Sequence, residues 1–148
     1  MANYIVYDKY KNLMYKSSKE IYAKVFSALC NNPVYLYKES KMIDYYWVGN
    51  EFESSGIKRQ FINEFSKKLS FFATIGYYNY DDFPSDKNNF FDYIINEINY
   101  WKSCVYENGH TLNDMLEENP DIIKKELKKL LAYKKDLNEL QRALIKYQ

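Results

Sequence analysis

The sequence predicts an α+β fold: a small antiparallel sheet with one helix over residues 1–50, then a helical bundle over residues 54–148 ending in a long C-terminal helix. Three observations carry this. Short runs rich in Tyr, Val and Ile come in pairs through the first third, and these types favour strands. From Ser54 onward, apolar residues recur at steps of three and four, the helical period. The 148 residues, 47% apolar and 19% aromatic, can fill an ordered core, and no repeat or linker divides them. A single domain over 1–148 is therefore expected. A nearly all-helical domain is the alternative, because short aromatic runs fit either class.

The elements follow in order. Tyr4-Ile5-Val6-Tyr7 and Leu13-Met14-Tyr15 flank the polar stretch Asp8 to Asn12 and read as a hairpin. Ser17 or Ser18 is placed to cap a helix carrying Ile21, Tyr22, Val25, Phe26 and Leu29, which ends at Asn31-Asn32-Pro33. Val34 to Tyr37 and Ile43 to Val48, separated by Lys38 to Lys41, read as a second hairpin broken at Gly49-Asn50. Ser54 or Ser55 then caps a helix with Ile57, Phe61, Phe65, Leu69 and Phe72 on one stripe. Gly76 to Lys87 reads as a loop. The next helix carries Phe91, Ile94, Ile98, Trp101 and Val105, and Asn108-Gly109 ends it. Thr111 caps a short helix through Leu116.

Asn119-Pro120 opens the last helix, with Pro in the first turn where no amide hydrogen is needed. Ile123, Leu127, Leu130, Tyr133, Leu137, Leu140, Leu144 and Tyr147 run along it at seam-like spacing. That stripe either packs on the Phe91–Val105 helix or pairs with another copy, giving a possible homodimer through residues 121–148.

Most catalytic chemistries lack their residues. His110 is the single histidine and sits beside Gly109 in an expected loop, with no nucleophile elbow anywhere. Cys30 and Cys104 are far apart and lack metal-ligand spacing, so two buried thiols are expected. Four glycines, none at fingerprint spacing, make no phosphate loop. Asp81, Asp82 and Asp86 lack the spacing of a calcium loop. No catalytic residue, metal or cofactor is expected, and the reading is a non-enzymatic protein. The start of the chain has no secretory pattern and no apolar run is long enough to span a bilayer, so no membrane and a cytoplasmic location are expected.

Charge is the strongest functional pointer. Residues 1–50 hold seven lysines against four acids, residues 51–120 six bases against twelve acids, and residues 121–148 eight bases against four acids. The acidic middle, with Tyr78, Tyr80, Asp81, Asp82, Asp86, Asp92, Tyr93, Glu97, Tyr100, Tyr106 and Glu107, predicts a surface that docks on a basic protein. Lys, Asn, Ile and Tyr share AT-rich codons, which points to a low-GC bacterium, its phages or plasmids, or an AT-rich virus. The leading expectation is a phage or mobile-element product that inhibits a host nucleic-acid enzyme or defence nuclease, as anti-CRISPR proteins do, in the host cytoplasm. Its partner would be a basic surface such as a nucleic-acid-binding cleft.

The alternative is single-stranded nucleic-acid binding by the Lys/Tyr-rich N-terminal face, through Tyr7 to Lys11 and Tyr35 to Lys41. Against it stand the near-zero net charge, only two arginines (Arg59 and Arg142), and aromatics that alternate as core-facing strand positions would. A self-assembling structural subunit, through the C-terminal helix, is the third expectation.

Overall fold

The computed structural model describes residues 3–46, 51–72, 79–106 and 120–146. It is α+β, with a four-stranded antiparallel sheet and, among the described residues, five α-helices. The chain separates into two compact units, residues 1–64 with 140–148, and residues 65–139.

The first unit is built on strands β1 (Tyr4–Tyr7), β2 (Leu13–Ser17), β3 (Val34–Lys38) and β4 (Lys41–Tyr46), in the order β2-β1-β3-β4. β1 is antiparallel to both β2 and β3. β2 and β3 therefore run the same way on either side of it, and helix α1 (Glu20–Leu29) carries the chain across while packing on β1, β2 and β3.

Both hairpin turns are held by carboxylates. The Asp8 side chain accepts from the backbone N–H of Tyr10 (2.8 Å) and Asn12 (2.9 Å) and from Asn12 Nδ2 (3.1 Å). These bonds hold the Asp8 carboxyl below its ordinary value, the Asn12 amide contributing most. They also steady Lys11, which sits in the left-handed region at φ 65°. In the β3–β4 turn Glu39 takes φ 56°, while its Oε1 accepts from Asn3 N–H at 2.8 Å and its own N–H donates to Asn3 O at 2.8 Å.

α1 is buried around most of its girth, beyond the single face its apolar stripe predicts: Ala23, Ser27 and Ala28 are buried as well. Phe26 stacks on Tyr15 of β2 (4.9 Å, 9°), and Tyr22 meets Phe61 (6.5 Å). Ser27 is tolerated inside because its hydroxyl donates to Ala23 O at 2.8 Å. Neither Ser17 nor Ser18 caps the helix. Lys19 holds the N-cap position without a side-chain bond, and Ser17 Oγ accepts from Lys19 N–H at 3.0 Å instead. In the first turn, hydrogen bonding to Lys24 (2.9 Å) holds the Glu20 carboxyl below its ordinary value.

A short helix α2 (Glu51–Ser54), not foreseen from the sequence, precedes α3 (Ile57–Leu69). Gly56 joins them at φ 81°, a conformation that L side chains resist. Across the joint Lys58, almost fully buried, reaches Glu53 Oε1 at 3.2 Å. Ile57 N–H points to Ser55 Oγ at 3.4 Å, so the expected serine cap is a long contact.

In the second unit, a 3-10 turn (Tyr80–Asp82) occupies part of the expected loop and leads into helix α4 (Lys87–Tyr106). Phe83 anchors this entry against Phe65 (6.1 Å), Phe90 (6.3 Å) and Tyr93 (4.8 Å). Each such ring contributes about 1.5–3 kcal/mol when fully buried. Phe72, expected on the α3 stripe, lies just beyond that helix, where it is buried beside Trp101 (5.9 Å).

The last helix, α5, runs Pro120–Lys146. Its residues Ile123, Leu127, Leu130, Tyr133, Leu137, Leu140 and Leu144 are all buried within the single chain. Lys134 Nζ donates to Asn99 Oδ1 at 2.7 Å, which sets α5 against α4. The seam needed for self-pairing is thus already occupied. Trp47 to Asn50, His110, the helix expected at 111–116 and Tyr147 lie outside the described residues.

Candidate functional site

The two faces of the sheet differ. Val6 pairs with Leu36 and with Tyr15, and Tyr15 stacks on α1, so this set points into the core. Alternate residues point the other way. On that open face, Tyr7 lies opposite both Leu13 and Tyr35, and Tyr35 opposite Tyr45, making one cross-strand row over all four strands. Ile5 lies opposite Lys16 and Tyr37, and Tyr37 opposite Met42, making a second row.

Two bulges make the rows possible. Leu13 and Lys16, and likewise Met42 and Tyr45, are three residues apart, a spacing that puts side chains on opposite faces of a regular strand. The register shifts at Val6/Tyr7 and at Leu36/Tyr37, leaving Met14 and Ile43 as the extra residues. An extra residue reverses the phase of the strand beyond it. Both rows therefore share one face.

Tyr7 and Tyr37 meet edge to face (5.2 Å, 87°), and Tyr35 leans on Tyr45 (4.8 Å, 39°). All four rings are half-buried, while Leu13 and Met42 are 55% and 50% exposed. A concavity of ≈ 610 Å³ opens over Tyr7, Tyr35, Tyr37 and Met42, with Asp8, Lys9 and Lys11 at one end and Glu39 and Ser40 at the other. Exposed lysines edge the face at positions 9, 11 and 16, whereas Lys38 and its cross-strand partner Lys41 share the phase of Tyr4 on the α1 side. Lys11 and Lys16 form no ion pair among the described residues. Both carboxylates are engaged by backbone N–H groups, Asp8 within its turn and Glu39 with Asn3.

This placement corrects one expectation from the sequence. Tyr7, Tyr35, Tyr37 and Tyr45 alternate in phase with the open face, not the core. The core phase belongs to Val6, Val34 and Leu36, each with no exposure. The sequence reading took in Tyr7, Tyr35, Tyr37 and their lysines but missed Leu13, Lys16, Met42 and Tyr45. The usable signal was the aliphatic set at positions 6, 34 and 36, which marks the core phase and leaves the rings opposite.

The acidic surface is partly brought together. Asp81, Asp82 and Asp86 are exposed within one short segment, and Asp86 Oδ2 accepts from Asn89 N–H (3.1 Å) at the start of α4. Asp92, Asn96 and Tyr100 follow at steps of four on an exposed face of that helix, with Tyr100 54% exposed against Trp101. Tyr80, Tyr93 and Glu97 are half-buried, and Tyr93 serves the packing of Phe83. Tyr78, Glu107 and the side chain of Tyr106 lie outside the described residues.

Among the described residues no group of three or more His, Cys, Asp or Glu is placed to hold a metal ion. No helix among them is long and apolar enough to cross a membrane. Cys30 is buried and Cys104 half-buried, both as free thiols. No family model matches the chain, and neither a curated protein nor a solved structure matches it.

Proposed function

We propose that the chain is a non-catalytic binding protein that takes single-stranded nucleic acid on the open face of its sheet. The observation that carries this reading is the pair of cross-strand rows holding Tyr7, Tyr35, Tyr37 and Tyr45, edged by Lys9, Lys11 and Lys16. Unstacked bases gain about 1–3 kcal/mol each by stacking on exposed aromatic rings, and lysines track the phosphates. An aromatic-bearing four-stranded sheet is one of the recurring ways in which proteins read single strands. Lysine without arginine favours charge attraction over bidentate base reading, so sequence-tolerant binding is expected. Fluorescence polarisation with labelled 12-nucleotide DNA and RNA tests it. Affinity should fall with rising salt, at a logarithmic slope of about −0.7 per phosphate engaged. No binding at 50 mM salt rejects the reading.

A second reading rests on the exposure of Asp81, Asp82, Asp86 and Asp92. Here the chain is a phage or mobile-element inhibitor, anti-CRISPR-like in manner, that occludes a basic nucleic-acid cleft of a host enzyme. A variant with Asp81, Asp82 and Asp86 all changed to Lys should lose capture of a basic partner from a low-GC bacterial lysate, yet bind oligonucleotides as before. Equal capture by the variant removes this reading. Both readings place the chain in the cytoplasm, that of the host if it is viral.

A further inference from the structure

Resting on the nucleic-acid reading, we infer that the sheet face holds a short run of two or three unstacked bases, bound through the tyrosine couples and discriminating against duplex. The four rings form two couples, Tyr7 with Tyr37 and Tyr35 with Tyr45. In the first, the ring planes stand at 87°, so the edge of one ring abuts the face of the other. Two couples therefore offer two principal stacking stations. The first couple spans both rows and the second lies within one of them, so both stations sit on the same face. Leu13 and Met42 close opposite sides of the platform with apolar surface.

The charges are disposed to match. Lys9 and Lys11 stand at one end of the concavity, beyond Tyr7, and Lys16 stands on the face in the second row. The Asp8 carboxylate is held by N–H donors within its turn and the Glu39 carboxylate by Asn3 N–H. A duplex keeps its bases stacked inside and shows the rings only phosphates and groove edges. Lysine attraction alone is then left, and with no arginine in residues 1–50 the fork that reads base edges is missing.

The test is a polarisation titration at 50 mM salt with four probes: a 12-nucleotide single strand as DNA and as RNA, the same length carrying abasic sites throughout, and a 12-base-pair duplex. Wild type is compared with Tyr35→Ala, Tyr37→Ala and Tyr35→Phe, each checked for folding by thermal melting. Both single strands should bind. The abasic strand and the duplex should each bind at least 10-fold more weakly. Tyr35→Ala and Tyr37→Ala should each lose about 10-fold, while Tyr35→Phe, which keeps the ring, should lose under 3-fold. If the abasic strand or the duplex binds as tightly as the single strands, this inference falls and the broader nucleic-acid reading stands on phosphate attraction alone. If no probe binds, both fall.

Discussion

One sheet has two faces with opposite fates. Toward α1, Val6, Val34 and Leu36 lose all exposure; away from it, Tyr7, Tyr35, Tyr37 and Tyr45 keep part of their rings in water. The same strands supply both sets, residue by residue. The difference teaches that alternation divides a strand's side chains into two groups, while the position of the crossing helix decides which group becomes core. An aliphatic set suits the dry side because it leaves no polar atom unsatisfied. Tyrosine suits the wet side because its hydroxyl keeps water while its ring still packs on a neighbour.

The sharpest way to break this contrast is Leu36→Ala. Leu36 has no exposure, so the change should cost about 2–5 kcal/mol, read as a fall in the denaturation midpoint. Its strand neighbour Tyr35 should behave in the opposite sense. Tyr35→Ala loses the contact with Tyr45, about 0.5–1.5 kcal/mol beyond the area its half-buried ring covers, and should cost less than Leu36→Ala in the same denaturation assay, while binding suffers most. Equal stability losses for the two variants would erase the distinction between the faces.

Two backbone variants sharpen it further. Gly56→Ala should destabilise by about 1 kcal/mol on thermal melting, from backbone strain alone, because an added Cβ would meet nothing within 4 Å. Lys11→Gly relieves a left-handed lysine and should stabilise by about 0.5 kcal/mol, while removing one charge from the open face.

The smallest effect is on acid stability. Asp8 and Glu20 are held below ordinary values of 3.8 and 4.5, so the unfolded chain binds their protons more readily. Their contribution is complete above those values and is lost as pH falls below them, through the lowered native values. Asp8→Asn together with Glu20→Gln should therefore flatten the fall in melting temperature between pH 5 and pH 3.

Much of the fold was legible in the sequence. The hairpins around Asp8–Asn12 and Lys38–Lys41, the α1 stripe and the α5 seam all follow from local period and turn chemistry. The short α2 escaped because four residues show no period. The cap at Lys19 escaped because serines nearby offered better chemistry than the backbone used. The candidate site was half legible. Tyr7, Tyr35 and Tyr37 stood out beside lysines, but a single strand shows only that its residues alternate. Tyr45 and Met42 escaped because the bulge at Ile43 reverses their phase, and a bulge depends on the partner strand.

By itself, the sequence determined the two hairpins, α1, α3, α4 and α5, since these depend on neighbours a few residues away. It also set the uneven charge, a matter of composition. Only the tertiary structure decided that Tyr7, Tyr35, Tyr37 and Tyr45 share one open face and that the α5 stripe is buried within the chain. Those outcomes depend on register and on which surface α1 covers, both of which arise from contacts between residues distant in sequence.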